Sequence, residues 1–235
     1  MNISRAYHQV LLDIYTGAGS SRICYILIPE GVSEEVSKWA EKASEKHECN
    51  MVLISGMDWN HDMSPWMAEG VMKKEKKFTG GAQMFLSSLL TDFIPYVEQL
   101  IKVKASRRLL AGVSLSGLFS IWCTSRTEIF SGVASISGSL WFDNFTEWLR
   151  KSTVCPGTEF YLSLGSREKN TSDKRMMQVE DRTRETVSIL EEKGLRTMFE
   201  MVQGTHFSPL APRLEKAVSY LLRIPEDISV PEGLL

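Results

Sequence analysis

Short, continuous hydrophobic runs recur along the chain and alternate with segments in which apolar residues return at helical spacing. The runs show no polar alternation, which is typical of strands in a parallel sheet that is covered on both faces. Residues 6–16 mix both patterns, and we predict an N-terminal edge strand there. The other predicted strands are 23–28, 51–55, 109–113, 132–136, 160–164 and 197–202.

The segments between these runs carry apolar stripes that favour helices. Pro95 is expected to kink or break the helix predicted over residues 83–102, because proline lacks an N–H and clashes with the preceding turn. Strands separated by helices predict βαβ units and a mostly parallel sheet. The intervals leave no room for a large lid, so we predict a single α/β domain over residues 1–235. The predicted helices are 33–43, 83–102, 115–122, 173–193 and 213–222.

The most informative segment is residues 109–119, where an apolar run enters a Gly-x-Ser turn and continues as a helix-like run. This is the pattern of a nucleophile elbow, in which a serine occupies a strained strand-to-helix turn. Only small side chains fit two residues before and after the nucleophile, which explains Gly112 and Ser116. Ser114 is therefore the predicted nucleophile. Short Gly/Ser turns are common, so this prediction depends on a histidine and an acid downstream.

A serine hydroxyl needs an adjacent base, and the base needs an orienting acid. Of the four histidines, His206 follows the last predicted strand and precedes the C-terminal helix, where the order serine, acid, histidine places the base. The alternative is a surface loop histidine. For the acid, Glu168 after the strand 160–164 is the first choice, Asp173 the second and Asp143 the third. Glu168 could instead be an exposed acid paired with a neighbouring cation.

Acyl transfer also needs backbone N–H groups that stabilise an oxyanion. The Leu115 N–H, directly after the nucleophile and at a helix N-terminus, is one predicted donor. The second is expected from Glu30 or Gly31, in the turn that follows the strand 23–28.

Residues 58–66 are unusually rich in polar and aromatic side chains for a connecting loop. Loops at the carboxyl ends of strands form the binding crevice of open α/β sheets. We predict that Trp59, Asn60 and His61 contact the substrate. The alternative is that Trp59 and Trp66 only pack the loop onto the domain.

With these motifs in place, the chain resembles the esterase-D-like putative esterases of the α/β-hydrolase superfamily, a group related to siderophore and feruloyl-type esterases. The likeness spans residues 23–222 and is most specific at 111–119, 161–168 and 204–207. It implies the α/β-hydrolase fold, a mostly parallel central sheet with helices on both faces and no large lid domain.

The resemblance also implies a carboxylic-ester hydrolase in which Ser114 is the nucleophile, His206 the base and Glu168 the acid. Two positions depart from the usual pattern. Ser116 stands where the group has glycine, which would stiffen the elbow or add a hydroxyl near the site. Residues 28–31 stand where many relatives have a His-Gly turn. The substrate does not transfer, because members of this group act on different esters.

Composition and charge narrow the partners. Apolar residues make up 43% of the chain and the net charge is −2, which gives no reason to expect nucleic acid or an anionic membrane. The first residues lack a signal peptide and no run reaches transmembrane length, so a cytoplasmic protein is expected. The four cysteines lack metal or redox spacing. We expect a small-molecule ester as partner and no metal or cofactor, and the oligomeric state stays open.

Three other functions stay open at this point. A thioesterase or acyl-transferase would use the same three residues, and a non-catalytic α/β-hydrolase scaffold would act as a binding module. A peptidase is less expected, because such relatives commonly carry an additional domain. The basic run 73–77 favours a solvated loop, and whether residues 66–82 fold over the site as a flap is left open.

Overall fold

The computed structural model describes residues 2–71 and 76–223. The flap considered for residues 66–82 therefore falls partly outside the described residues. The strands are β1 Asn2–Tyr7, β2 Val10–Tyr15, β3 Arg22–Leu27, β4 Asn50–Ser55, β5 Met67–Ala68, β6 Phe78–Thr79, β7 Arg107–Val113, β8 Gly132–Ile136, β9 Glu159–Gly165 and β10 Thr197–Val202. The helices are α1 Glu34–Lys46, α2 Trp59–Asp62, α3 Ala82–Ser88, α4 Ile94–Leu100, α5 Leu115–Cys123, α6 Phe145–Lys151, α7 Val179–Glu192 and α8 Ala211–Leu222.

Eight strands form one sheet in the order β1-β2-β4-β3-β7-β8-β9-β10. The six strands from β4 to β10 in this order are parallel to one another, and β2 is antiparallel to both β1 and β4. Helices α1 and α8 pack on one face, and α3, α4, α5, α6 and α7 pack on the other. Because both faces are covered, β4, β8 and β9 are buried along their whole length. The predicted α/β fold with a mostly parallel sheet is confirmed.

The single N-terminal strand predicted over residues 6–16 is wrong. The chain forms the hairpin β1–β2 instead, with β1 at the edge and β2 inside the sheet. The turn contains neither Gly nor Pro, so nothing in the sequence marks it. His8 supplies the reversal by taking a left-handed conformation with φ of 52°.

The long helix predicted over residues 83–102 is present but is not broken at Pro95. The five residues Leu89–Phe93 form a π turn between α3 and α4, and Pro95 lies in the first turn of α4. π-Helix is rare and occurs mostly as single turns of this kind inside α-helices. The helix predicted from residue 173 starts later, at Val179, because the Asp173 carboxylate accepts the N–H groups of Arg175 and Met176 and so forms a separate turn.

The parallel sheet gathers the ends of four strands at one edge. Val113 of β7 lies opposite Ile136 of β8, and Gly165 of β9 lies opposite Val202 of β10. The loops that follow these strands therefore start side by side, as expected for ligand sites in open α/β sheets. None of the described helices combines the length and apolarity needed to cross a membrane.

Candidate active site

Ser114 occupies a sharp turn between β7 and α5. Its backbone has φ of 57° and ψ of −122°, a conformation that L residues rarely adopt. The Ser114 N–H donates to the Ile136 carbonyl at 3.0 Å, which holds the turn against β8. A Cβ atom on Gly112 would lie 2.0 Å from the Ser116 carbonyl oxygen, so this position requires glycine. These features are those of the predicted nucleophile elbow.

Ser116 is fully buried, and its hydroxyl joins the elbow to the neighbouring strand β3. The hydroxyl accepts the Val113 N–H at 2.8 Å and lies 2.9 Å from the carbonyl oxygens of Leu27 and Val113. Of the two effects considered for this departure from glycine, the contacts favour a stiffened elbow.

One chain of hydrogen bonds connects Ser114, His206 and Glu168. His206 Nε2 lies 3.1 Å from Ser114 Oγ, and His206 Nδ1 lies 2.8 Å from Glu168 Oε2. The other two acids face elsewhere: the Asp173 carboxylate accepts backbone N–H groups, and Asp143 pairs with Arg175 at 3.2 Å. Of the three candidate acids, Glu168 is the one that the fold brings to the histidine.

The Glu168 carboxylate is buried, with 3% of its side chain exposed. Its Oε1 atom accepts the Gly165 N–H at 2.7 Å and the Ser137 hydroxyl. Burial by itself raises the pKa of the Glu168 carboxyl, but hydrogen bonds from His206, Ser137 and Gly165 outweigh it and hold the pKa below its usual value. The group is therefore ionised at neutral pH and can orient the imidazole.

Two residues at this site were not found from the sequence. Ser137 follows β8, and its hydroxyl bonds to Glu168. Arg213, on α8, donates from Nη2 to the Ser137 hydroxyl and from Nη1 to the His206 carbonyl at 3.4 Å. A strand ending in Ser-Gly-Ser beside the nucleophile strand was a usable signal for Ser137. Arg213 opens the predicted helix 213–222, which also carries Glu215 and Lys216, so nothing local singled it out.

The predicted oxyanion donors lie at the same edge of the sheet. Leu115 is the first residue of α5, so its N–H has no acceptor within the helix. Glu30 and Gly31 follow β3, which pairs with β7. Glu30 has φ of 60°, and its carbonyl accepts the Gly56 N–H at 3.3 Å. Oxyanion binding by Leu115, Glu30 and Gly31 stays a prediction.

Residues 59–61 lie in the short helix α2, which supports the small strand pair β5–β6. The Asn60 side chain donates to the Lys76 carbonyl at 2.8 Å, and His61 Nδ1 lies 2.7 Å from the Thr79 hydroxyl. Trp59 is partly buried against the core. Their contact with substrate stays a prediction, and the polar groups of Asn60 and His61 have structural partners. Within the described part of the chain, no group of three or more His, Cys, Asp or Glu side chains is arranged to hold a metal.

Comparison with known proteins identifies the family. Residues 33–214 match the family described as Putative esterase. The chain is also 26% identical over 189 residues to the uncharacterized protein YbbA of Bacillus subtilis (strain 168), a match that covers 76% of this chain and 74% of that protein.

Solved structures show the same fold at low sequence identity. An IroE-like serine hydrolase from Shewanella oneidensis superposes with a TM-score of 0.77 at 17% identity, covering 94% of this chain and 79% of that one. The siderophore hydrolase EstA from Aspergillus nidulans gives 0.70 at 18% identity, covering 94% and 93%. These likenesses establish the α/β-hydrolase fold, and the family match supports an esterase or related hydrolase function. The chain belongs to the Putative esterase family.

Proposed function

We propose that this protein is a serine carboxylic-ester hydrolase that acts through an acyl-enzyme on a Ser114–His206–Glu168 triad. The observation that carries this proposal is the unbroken chain of hydrogen bonds from Glu168 through His206 to a serine in a strained strand-to-helix turn. Nucleophile, base and orienting acid in hydrogen-bond reach of one another are the minimum that serine catalysis requires.

The first half of the reaction acylates the enzyme. His206 Nε2 takes the proton of Ser114 Oγ, which attacks the ester carbonyl carbon. The negative charge that develops on the carbonyl oxygen is stabilised by the N–H groups of Leu115 and of Glu30 or Gly31. Glu168 stabilises the imidazolium, and His206 then gives its proton to the leaving alcohol as the C–O bond breaks.

The second half releases the acid. His206 takes a proton from water, which attacks the acyl carbonyl, and returns that proton to Ser114 Oγ as the acyl group leaves. No step calls for a metal or organic cofactor. The same residues would cleave a thioester or pass the acyl group to another acceptor.

The substrate class proposed is a small or medium ester. Solved structures that share the fold include two siderophore hydrolases and a ferulic acid esterase. We infer the ester class from family membership and leave the acyl and alcohol parts to experiment.

The test is hydrolysis of p-nitrophenyl acetate and butyrate by the wild type, Ser114→Ala and His206→Ala. Ser87→Ala is the matched control, because Ser87 is exposed on α3, remote from the elbow in the sequence. We expect turnover by the wild type and the control, and loss in both site variants. A fluorophosphonate probe followed by mass spectrometry should label Ser114. A folded wild type with neither turnover nor label would overturn the proposal in favour of a binding module.

A further inference from the structure

We infer that Arg213 is a positioning residue for the acid of the triad and acts on Glu168 through the Ser137 hydroxyl. This inference rests on the proposed function. It assigns a role to a buried cation that the reaction steps above do not use.

Arg213 is almost completely buried, with 5% of the residue exposed. Arginine is rarely buried to this extent unless it is paired, because removing a cation from water is costly. In the described part of the chain, the carboxylate that pairs with it is Glu168, with Nη2 3.7 Å from Oε1. Burial lowers the pKa of the guanidinium, and the charge of Glu168 opposes that shift.

The contacts of Arg213 tie three parts of the site together. Nη1 donates to the backbone carbonyl of His206, and Nη2 donates to the hydroxyl of Ser137. Since that hydroxyl accepts from Arg213, its own proton is available to Glu168 Oε1. Each hydrogen bond in this series therefore has a fixed direction, from the Arg213 guanidinium to the Ser137 hydroxyl and from that hydroxyl to the Glu168 carboxylate.

This arrangement leaves one carboxylate oxygen for the base. Oε1 is occupied by the Gly165 N–H and the Ser137 hydroxyl, so Oε2 is the oxygen that faces His206 Nδ1. Without Arg213, Ser137 could reorient and Glu168 could rotate away from His206. Catalysis depends on such geometry, and a displacement of about 1 Å can lower a rate on the order of 100-fold.

The charge of Arg213 has a second effect. The titratable side chains that face it are Glu168 and, from β9, Tyr161, whose hydroxyl donates to Glu200. A fixed cation 3.7 Å from the Glu168 carboxylate opposes uptake of a proton by that carboxylate. Removing the cation should therefore move the acid limb of the kcat/KM profile to higher pH.

The experiment compares Arg213→Met, Arg213→Lys and Ser137→Ala with the wild type on p-nitrophenyl butyrate. We expect kcat to fall on the order of 10- to 100-fold in Arg213→Met with KM nearly unchanged. Arg213→Lys should have a kcat between those of Arg213→Met and the wild type. Lysine keeps the positive charge, but its single nitrogen replaces the two that donate to His206 and Ser137. Arg108→Met is the matched control, because Arg108 lies near the start of β7, at the end away from Ser114, and makes a partly buried pair with Glu98 of α4. It should lower Tm without altering kcat or the pH profile.

A double-mutant cycle separates positioning from general damage. If Arg213 acts through Glu168, adding Arg213→Met to Glu168→Gln should cause little further loss of kcat. A full additional loss in that background would overturn the inference. So would wild-type kcat in both Arg213→Lys and Ser137→Ala, which keeps the test decisive if Arg213→Met does not fold. A wild type that neither turns over ester nor labels at Ser114 overturns the proposed function as well, and so differs from failure of the inference alone.

Discussion

Two serines at the ends of neighbouring strands have left-handed backbones, Ser114 after β7 and Ser137 after β8. Such conformations cost about 1–3 kcal/mol each and persist only where the surroundings support them. Here each turn is held by the next strand or its end, since Ser114 N–H donates to Ile136 at 3.0 Å and Ser137 N–H donates to Ser163 at 2.7 Å. Backbone hydrogen bonds to the neighbouring strands therefore stabilise the strained conformations of both serines.

Gly112→Ala should prevent the elbow from closing. The added methyl would meet the Ser116 carbonyl oxygen at 2.0 Å, and neither backbone can move without breaking β7 or α5. We expect a loss of about 3 kcal/mol in the free energy of unfolding, at the upper end of the usual cost of overpacking, measured by urea denaturation. Gly157→Ala is the control, because its added Cβ would meet no atom within 4 Å and only the backbone φ of 81° disfavours alanine there. Equal losses in the two variants would contradict the steric argument.

Glu168→Gln should keep the fold and lower kcat by on the order of 10³-fold, because a neutral amide neither fixes the imidazole tautomer nor stabilises the imidazolium. The measurement is steady-state hydrolysis with circular dichroism as the check on folding. Asp173→Asn and Asp143→Asn serve as carboxylate controls and should retain near-wild-type kcat. Near-normal activity in Glu168→Gln would contradict its assignment as the acid.

At the scale of elements, the buried parallel strands could be predicted because burial on both faces leaves a continuous apolar run. The hairpin β1–β2 could not, since its turn lacks Gly and Pro and β1 is mostly exposed. The π turn before Pro95 was also beyond sequence reasoning, because proline predicts an irregularity without saying how the helix absorbs it. The short helix α2 was treated as a loop, as its aromatic and polar residues form no apolar stripe.

Ser116→Ala should weaken the connection between the elbow and β3. It leaves the buried Val113 N–H without its acceptor and removes the contact with the Leu27 carbonyl. An unsatisfied buried donor costs about 1–3 kcal/mol, so we expect a loss of that size in the free energy of unfolding. Ser87→Ala, at an exposed site, should change it by less than about 0.5 kcal/mol. Equal stability of the two variants would show that the hydroxyl contributes nothing.

At the scale of the whole molecule, the reach of sequence reasoning follows from what each residue contacts. Ser114, Glu168 and His206 each follow the end of a strand, so the alternation of elements was enough to bring them to one edge. Ser137 and Arg213 were missed because their role depends on burial and on the contact between α8 and the residue that follows β8, which the Ser-Gly-Ser sequence after that strand does not show by itself. An arginine in a helix is ordinarily a solvated residue.

The packing of α1 against α8 on one face of the sheet contributes to the acid stability of the protein through the carboxylate of Glu215. Glu215 of α8 accepts hydrogen bonds from Lys46 at 2.5 Å, Trp39 at 2.9 Å and His47 at 3.0 Å. Burial by itself raises the pKa of Glu215, but the hydrogen bonds from Lys46, Trp39 and His47 outweigh burial and lower the pKa to about 2. The carboxylate thus joins two helices that are distant in sequence.

Glu215→Gln should therefore flatten the dependence of stability on pH. The folded pKa of about 2 lies below the unfolded value of about 4.3, so as pH falls the unfolded chain binds its proton first. The stabilising contribution is complete above about pH 5 and is lost as pH falls toward 2. Urea denaturation from pH 7 to pH 2 should show Glu215→Gln less stable than wild type at neutral pH, with the two curves converging in acid. Glu45→Gln, on the exposed surface of α1, should follow the wild type throughout, and a Glu215→Gln curve parallel to it would refute the linkage between this carboxylate and acid unfolding.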